Sequence, residues 1–207
     1  MKKNIRILIA DDHAIVRMGI ASLLEMETDL VIVGQAEDGA AAVHMAQQLH
    51  PDIVIMDLMM PVMDGVTATA ELVRRAPESK AVVLTSFSTS DGIAHALEAG
   101  AVGAILKSAA ETELIPAIRK VAAGGTYVSQ EVKSHLKKDP PVPKLSARQL
   151  EILKALVSGQ TSKDISKSLH IGFDSVNEHI SLLVQKLGAT NRTEAVAIAL
   201  RKHLLKI

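Results

Sequence analysis

The chain has 207 residues, a length that favours two compact units joined by a linker over one average domain. Hydrophobic residues make up 48% of the sequence and charged residues 22%, a composition that is typical of globular proteins and excludes a largely disordered chain. Cysteine is absent, and aromatic residues make up 1%. This excludes disulfides, cysteine nucleophiles, cysteine-ligated zinc and the aromatic stacking surfaces of single-strand nucleic-acid binders.

The formal net charge of zero conceals an uneven distribution of charge. Residues 1–130 carry 10 basic and 16 acidic side chains, whereas residues 131–207 carry 13 and 7. A basic second part predicts a polyanion as its ligand. Apolar runs are all shorter than the ~18 residues of a membrane span, and the N-terminus lacks the long apolar core of a signal peptide. We therefore expect a cytoplasmic protein that does not bind membranes.

The first part of the chain alternates short β-branched runs with stretches of helical periodicity. Five apolar runs have the length of buried parallel strands; they lie at residues 5–10, 30–33, 53–56, 81–84 and 102–106. Amphipathic stretches follow them at residues 15–26, 40–49, 66–75, 92–99 and 111–122. The alternation predicts an α/β fold, a (βα)5 doubly wound parallel sheet with its ligand site at the carboxyl ends of the strands.

The second part of the chain has a different pattern. Residues 137–144 contain three prolines, which is typical of a semi-rigid spacer, so we expect a first domain at 1–125, a linker at 126–144 and a second domain at 145–207. Four short helices and no strand are predicted there, with capping boxes that begin at Ser146 and Thr161 and a cap at Asn191. Two short helices, a tight turn and a longer helix over about 173–186 indicate a helix-turn-helix in a small all-α domain.

Polar side chains follow four of the predicted strands. Asp11 and Asp12 follow the first strand, Asp57 the third, Thr85 and Ser86 end the fourth, and Lys107 follows the fifth. Because parallel strands end at one edge of a sheet, we expect these side chains to converge. Neighbouring carboxylates repel each other unless a divalent cation holds them, and few dedicated oxygen ligands suit Mg²⁺. A lysine and a hydroxyl complement phosphoryl oxygens, and Asp57 is the candidate nucleophile for an aspartyl-phosphate.

Other interpretations of these residues are simpler. Any one of the polar residues taken alone is more typical of a helix cap or an exposed surface position, so the hypothesis rests on their coincidence at four strand ends. We interpret His13 as a surface or helix-start residue, because the eight histidines of the chain show no metal-ligand spacing. We interpret the methionines at 56, 59, 60 and 63 as core and pocket-rim residues.

These motifs carry a resemblance to a known family. Residues 1–125 resemble a two-component receiver domain, residues 144–207 resemble a LuxR-type DNA-binding domain, and together they are similar to NarL/FixJ-type response regulators over nearly the whole chain. The motifs are Asp11-Asp12, Asp57-Leu-Met-Met-Pro61 with Asp64-Gly65, Leu84-Thr-Ser86 and Leu106-Lys107, then residues 145–153, Gly159 with 163–165, Ser175-Val176 with His179, and residues 186–188 and 191–196. The motifs are individually weak and jointly specific.

The resemblance implies roles for the acidic residues. It implies that Asp57 accepts a phosphoryl group from the phosphohistidine of a cognate sensor histidine kinase. It also implies a Mg²⁺ site in which Asp12, Asp57 and the backbone carbonyl of Met59 bind the ion directly and Asp11 binds it through water. The implied output is control of transcription from promoter DNA by a homodimer that forms through the fourth helix of the second domain.

The resemblance also implies how the phosphorylated site signals. Lys107 is expected to pair with phosphoryl oxygens, and Thr85 is expected to move toward them. Receivers often carry a switching aromatic residue at the position of Ala104, so this chain departs from the pattern there. Phe87 is the nearby aromatic residue, and whether it takes that role stays open.

The second domain departs from the family on the helix that is expected to enter DNA. Family members typically carry lysines there, whereas residues 173–186 contain one basic and two acidic side chains. The candidate DNA contacts are Ser175, Asn177, Glu178, His179 and Ser181 on this helix, and Lys163, Lys167, Lys186 and Arg192 for phosphates. Glu178 either accepts a hydrogen bond from a cytosine amine or repels phosphate. The lack of a neighbouring lysine or arginine on its helix face favours repulsion.

Three functions are compatible with the sequence. We favour a phosphorylation-switched transcription factor. A phosphatase of the haloacid dehalogenase type shares a nucleophilic aspartate, Mg²⁺ and lysine, but its nucleophile follows the first strand in an Asp-x-Asp arrangement, so we do not expect an enzyme. A regulator that acts through protein–protein interaction, with weak or lost DNA binding, is the alternative that the acidic helix keeps open.

Overall fold

The computed structural model describes residues 4–86, 90–143, 145–202 and 204–205. The chain divides into two compact units, Met1–Pro140 and Pro141–Ile207. Each unit has an apolar core of its own. None of the helices in the described ranges combines the length and the apolar character that a bilayer span requires.

The first unit is a parallel sheet with helices on both faces, as the alternation of the sequence predicts. Its strands are β1 (Ile5–Ala10), β2 (Leu30–Ala36), β3 (Ile53–Met56), β4 (Lys80–Thr85), β5 (Gly103–Leu106) and β6 (Tyr127–Val128), in the spatial order β2-β1-β3-β4-β5-β6. Its helices are α1 (Ala14–Glu25), α2 (Gly39–Leu49), α3 (Gly65–Arg75), α4 (Ser90–Glu98), α5 (Ala110–Ala122) and α6 (Gln130–Lys138), with a 3₁₀ turn at Lys107–Ala109 before α5. The prediction of a doubly wound α/β fold is confirmed.

The central strands are buried on both faces, which explains their almost continuous apolar sequences. In β3, Ile53 and Ile55 pack into the layer formed with α1 and α5, whereas Val54 and Met56 pack into the layer formed with α2, α3 and α4. Successive side chains of a strand point to opposite faces. Both layers therefore depend on the same short strand.

The strand register brings the carboxyl ends of the strands to one edge. Ala10 at the end of β1 pairs with Met56 at the end of β3, and Thr85 at the end of β4 pairs with Leu106 at the end of β5. The residues that follow these ends leave the sheet side by side. The candidate site residues are placed by this register.

The segment after residue 125 differs from the prediction of a linker at 126–144. β6 pairs with β5, and α6 begins at the Ser129 cap, whose side chain accepts a hydrogen bond from the Val132 N–H. Val132 is fully buried in the layer that contains α2, α3 and α4. Ser90 at the start of α4 donates a hydrogen bond of 2.5 Å to the carboxylate of Asp139. The sequence pattern missed these elements because β6 has two residues and α6 buries one side chain.

The second unit consists of four helices, as predicted, with no strand in its described residues: α7 (Ala147–Val157), α8 (Ser162–Ser168), α9 (Phe173–Lys186) and α10 (Arg192–Arg201). Both predicted capping boxes are present, at the starts of α7 and α8. A short turn connects α8 to α9; the Ser166 hydroxyl donates to the Ile171 carbonyl at 2.6 Å, and His170 takes a positive φ of 52°. The pair α8 and α9 has the form of a helix-turn-helix.

We expect the substitution Val132→Ala to lower the free energy of unfolding of the first unit by about 2 kcal/mol, because it removes two buried methyl groups. Tyr127 is the only tyrosine and tryptophan is absent, so tyrosine fluorescence during urea unfolding of the full chain reports on this unit. Val31→Ala is the control, because Val31 lies in β2 and is 38% exposed. Equal small effects of both substitutions would mean that α6 is not part of the folded unit.

Candidate functional site

Four ionisable side chains meet beyond the ends of β1 and β3. One carboxylate oxygen each of Asp11, Asp12 and Asp57 and one ring nitrogen of His13 all lie within 4.8 Å of one another. Asp11 and Asp57 are buried, with 2% and 4% of their surface exposed, whereas Asp12 and His13 are exposed. The structure therefore brings together the three carboxylates that the sequence analysis selected.

Lys107 connects this cluster to β5. Its ammonium nitrogen lies 2.6 Å from Asp11 Oδ2 and 2.9 Å from Asp57 Oδ2. The three carboxylates thus face one ammonium, which leaves an excess of negative charge in a partly buried cluster. Hard divalent cations with oxygen ligands meet this requirement, so the donor set fits such an ion.

The pKa shifts of Asp57 and Lys107 reflect first their burial and then the charges around them. Burial raises the pKa of Asp57, and the charge of Asp11 adds to the increase, while Lys107 and the Leu58 N–H lower it by less. Burial alone disfavours the charged form of Lys107, but the hydrogen bonds and charges of Asp11 and Asp57 outweigh this effect and raise the pKa of Lys107. Two carboxylates stabilise the charged form of Lys107, whereas the ammonium that Asp57 shares with Asp11 offsets only part of the cost of burying the Asp57 carboxylate.

The loop after Asp57 is held against the sheet by the start of α3. The Gly65 N–H donates to the Leu58 carbonyl at 3.0 Å, and a Cβ atom at position 65 would lie 2.0 Å from the Asp57 carbonyl oxygen. No side chain fits in this space, so Gly65 is a structural requirement of the loop, and Asp64 before it caps α3 by accepting from the Thr67 N–H. Met59, whose backbone carbonyl the family resemblance implies as a Mg²⁺ ligand, lies in this loop. Met59 is 62% exposed.

Two side chains beside the acidic pair make contacts that the sequence analysis did not predict. His13 is an exposed residue at the start of α1, as the sequence analysis interpreted it. Its Nδ1 also lies 2.8 Å from Asp12 Oδ1, and its backbone N–H donates to Asp11 Oδ1 at 2.8 Å. Arg17 on α1 donates from Nη1 to the Asp11 carbonyl at 2.6 Å. Their proximity to an acidic pair at the start of a helix was the available signal, but side-chain direction is not visible in a sequence.

The residues that are expected to transmit the signal lie on β4 and β5. Thr85 ends β4, is 1% exposed and donates from Oγ1 to the Ser86 carbonyl at 2.9 Å. Ala104 in β5 is fully buried in the same apolar layer as Val132 of α6. Phe87, the aromatic residue considered as a replacement for the one missing at position 104, lies outside the described residues.

In the second unit, α9 exposes a face with acidic and neutral polar side chains, flanked by the exposed apolar side chains of Phe173 and Leu182. We call Asp174, Glu178, Ser181 and Gln185 the outer face of α9; all four are exposed, and their spacing of four, three and four residues places them in one row. Val176 and Leu183 are buried on the opposite side. No lysine or arginine lies on the outer face.

The remaining candidate residues of α9 lie away from the outer face. Ser175, Asn177 and His179 are half-buried, and His179 Nδ1 is buried without a hydrogen-bond partner among the described residues. Lys186 is also half-buried, and its ammonium donates to Gln149 Oε1 on α7 at 3.0 Å. Lys186 therefore connects α9 to α7, and it stays a predicted phosphate contact.

The exposed cations of the second unit lie on other helices. Lys163 and Lys167 are both exposed on α8, and their spacing of four residues places them on one side of that helix. Arg192 is exposed at the start of α10, where one guanidinium nitrogen donates to the Gln160 carbonyl at 3.0 Å.

Comparisons with known proteins identify a family for each of the two units. The family model described as "Response regulator receiver domain" matches residues 7–119, and the one described as "Bacterial regulatory proteins, luxR family" matches residues 143–199. The chain is 38% identical to the transcriptional regulatory protein LiaR of Bacillus subtilis, over 97% of this chain and 99% of LiaR. It is 34% identical to the response regulator protein VraR of Staphylococcus aureus, over 98% and 100%. A solved complex of the two-component response regulator RcsB with DNA matches with a TM-score of 0.70 and 27% identity, over 96% and 99%.

We expect Asp57→Asn to raise the Tm of the first unit by several degrees at neutral pH. The pKa of Asp57 is raised in the folded chain by burial and by Asp11, so its ionised form destabilises the fold above that pKa. The gain should shrink as the pH falls toward the unfolded-state value near ~3.9, because Asp57 is then protonated in both states. Tyr127 fluorescence during thermal unfolding measures this.

The control for this experiment is Asp52→Asn, at the opposite end of the strand that precedes Asp57. Asp52 accepts a hydrogen bond from the Arg6 backbone N–H at 2.8 Å, and an asparagine oxygen can accept the same bond, so this substitution should not raise the Tm. A decrease in Tm for Asp57→Asn at neutral pH would contradict the expectation, because it would show that the ion pair with Lys107 more than offsets the burial of Asp57.

Proposed function

The chain belongs to the response regulators that combine a receiver domain with a LuxR-type DNA-binding domain, and we propose that phosphorylation of Asp57 controls its activity as a transcriptional regulator. The contact of the Lys107 ammonium with both Asp11 and Asp57 carries this proposal. It places a cation beside the candidate nucleophile at the position where phosphoryl oxygens need compensation. We also place the boundary between the domains at residues 140–143, where the first compact unit ends and the second family match begins.

The proposed reaction is transfer of a phosphoryl group from a histidine kinase to Asp57. A carboxylate oxygen of Asp57 attacks phosphorus, the phosphorus–nitrogen bond of the kinase phosphohistidine breaks, and the departing imidazole nitrogen keeps the electron pair. Lys107 can then exchange its contact with Asp57 for a contact with a phosphoryl oxygen while it holds Asp11. The Thr85 hydroxyl, which now donates to the Ser86 carbonyl, is the group that we expect to turn toward the phosphoryl group.

We propose Mg²⁺ as the cofactor of this site. Asp12, Asp57 and the Met59 carbonyl would hold the ion directly, and Asp11 would contact it through water. When bound, the ion supplies positive charge that offsets the carboxylates and the incoming phosphoryl oxygens. Exposed Asp12 is accessible for this role, and buried Asp11 is held in place by Lys107 and Arg17.

We propose that α9 enters the major groove of promoter DNA and that α8 lies across the backbone, as in other helix-turn-helix domains. Lys163 and Arg192 are the proposed phosphate contacts, with Lys167 beside them. Ser175, Asn177, Glu178, His179 and Ser181 remain candidate base or backbone contacts, of which Glu178 and Ser181 are the exposed ones. With a histidine kinase and DNA as its partners, we propose that the protein acts in the cytoplasm.

We expect a small phosphodonor such as acetyl phosphate to modify the full chain once, in the presence of Mg²⁺ and not after chelation. Asp57→Ala should abolish the modification, because it removes the nucleophile. Intact-mass spectrometry measures the stoichiometry, and Asp52→Asn serves as a matched control that should still be modified. Modification of Asp57→Ala to the same extent as the unaltered chain would show that another residue is the acceptor.

We propose a homodimer on DNA that forms through α10, where Leu200 is 43% exposed. The sequence pattern of Val196, Leu200 and Leu204 predicts an apolar stripe, but Val196 and Leu204 are half-buried. Sedimentation of the saturated complex should give two protomers on an operator with half-sites ~10 base pairs apart, and Leu200→Asn should weaken binding to the two-site operator more than to a single half-site. One protomer per saturated operator would contradict this.

A further inference from the structure

The outer face of α9 offers hydrogen-bond acceptors almost exclusively. Asp174 and Glu178 present carboxylates, which only accept hydrogen bonds when ionised. The Ser181 hydroxyl donates to the Asn177 carbonyl within the helix at 3.0 Å, so its proton is already used and its oxygen faces outward as an acceptor. Gln185 is the one member that can still donate, and it lies near the end of α9.

The edges of the four bases differ in what they offer to such a face. In the major groove guanine presents two acceptors and thymine one, whereas cytosine presents only the donor N4 amine. Adenine presents one donor and one acceptor. A row of acceptors is therefore repelled by guanine and complemented by cytosine.

We propose that the outer face of α9 selects operator half-sites in which cytosine amines face Glu178 and Asp174, and rejects guanine at the same positions. The proposal rests on the proposed function, in which α9 enters the major groove. It assigns base choice to two carboxylates and leaves phosphate binding to Lys163, Lys167 and Arg192 on the neighbouring helices.

The positions of the two carboxylates fit this role. Recognition helices contact bases with their N-terminal residues, and Asp174 lies in the first turn of α9, one turn before Glu178. Four residues of helix span about 6 Å, which is close to two base steps of ~3.4 Å each. The expected signature is therefore a pair of cytosines about two positions apart in each half-site.

The same carboxylates also repel phosphates, and the two effects are separable. Repulsion lowers affinity for every DNA sequence and changes its salt dependence, whereas hydrogen bonding to bases changes the preference at particular positions. Glu178→Gln removes the charge and keeps an acceptor while it adds a donor. It should therefore bind scrambled DNA more tightly and accept adenine at the position where the unaltered chain requires cytosine.

The experiment is selection from a randomised duplex library by the phosphorylated full chain, followed by binding curves for the selected site. We expect the unaltered chain to prefer cytosine over guanine by roughly 10-fold to 100-fold at two positions, Glu178→Gln to lose the preference at one, and Asp174→Asn to lose it at the other. Replacing the cytosine that faces Glu178 by 2-pyrimidinone, which lacks the amine, should weaken binding of the unaltered chain most, of Glu178→Gln less and of Glu178→Ala least, because only the alanine variant has no acceptor there. Glu178→Ala repeats the test without the added donor.

Lys163→Gln is the control for a phosphate contact. It should weaken binding to selected and scrambled DNA alike and reduce the salt dependence by about one ion. Selection of guanine at the two positions, or an identical selected sequence for all variants, would overturn the assignment of base choice to the outer face while DNA binding itself stands. Failure of the fully phosphorylated chain to bind any DNA at low salt would overturn the proposed DNA-binding function together with this inference.

Discussion

The ammonium of Lys107 between the buried carboxylates of Asp11 and Asp57 is the interaction on which the first unit's chemistry depends. Two carboxylates that close would strongly disfavour each other's ionisation without it. The compensation is incomplete, because burial and the charge of Asp11 outweigh the effect of Lys107 and raise the pKa of Asp57. A site in this condition is stabilised by added positive charge, which a divalent cation with oxygen ligands would supply.

This interaction exists because of the sheet and not because of any local motif. Asp11, Asp57 and Lys107 are far apart in sequence and meet because β1, β3, β4 and β5 are parallel and in register at their carboxyl ends. Gly65 fixes the loop after Asp57 by allowing backbone to approach backbone. The charged side chains therefore follow strands that are apolar on both faces. The packing of the two apolar layers offsets the unfavourable electrostatic energy of the carboxylates at the sheet edge.

The same reasoning explains what the sequence could predict. Parallel strands that are buried on both faces have nearly continuous apolar sequences. The sequence pattern therefore predicted β1 to β5 and the polar residues that follow them. β6 was not predicted because two residues give no periodicity. α6 was not predicted because it is short and mostly polar, although Val132 and Leu136 lie on one face and pack against the same core. The contacts of Arg17, His13 and Lys186 depend on side-chain direction, which neither spacing nor composition determines.

In the second unit, the net charge and the charges on one helix face predict different properties: the class of ligand and the preference for particular bases. Residues 131–207 are basic overall, and this excess predicts the ligand class because phosphate attraction acts over a Debye length. Base contacts act over a single hydrogen bond, so they depend on which side chains occupy one helical face. On α9 that face holds Asp174 and Glu178, while exposed lysines lie on α8 and Lys186 is engaged with Gln149. A helix-turn-helix with this arrangement gains affinity from its flanking helices and sequence preference from acceptors, so a change in either set should alter one property with little effect on the other.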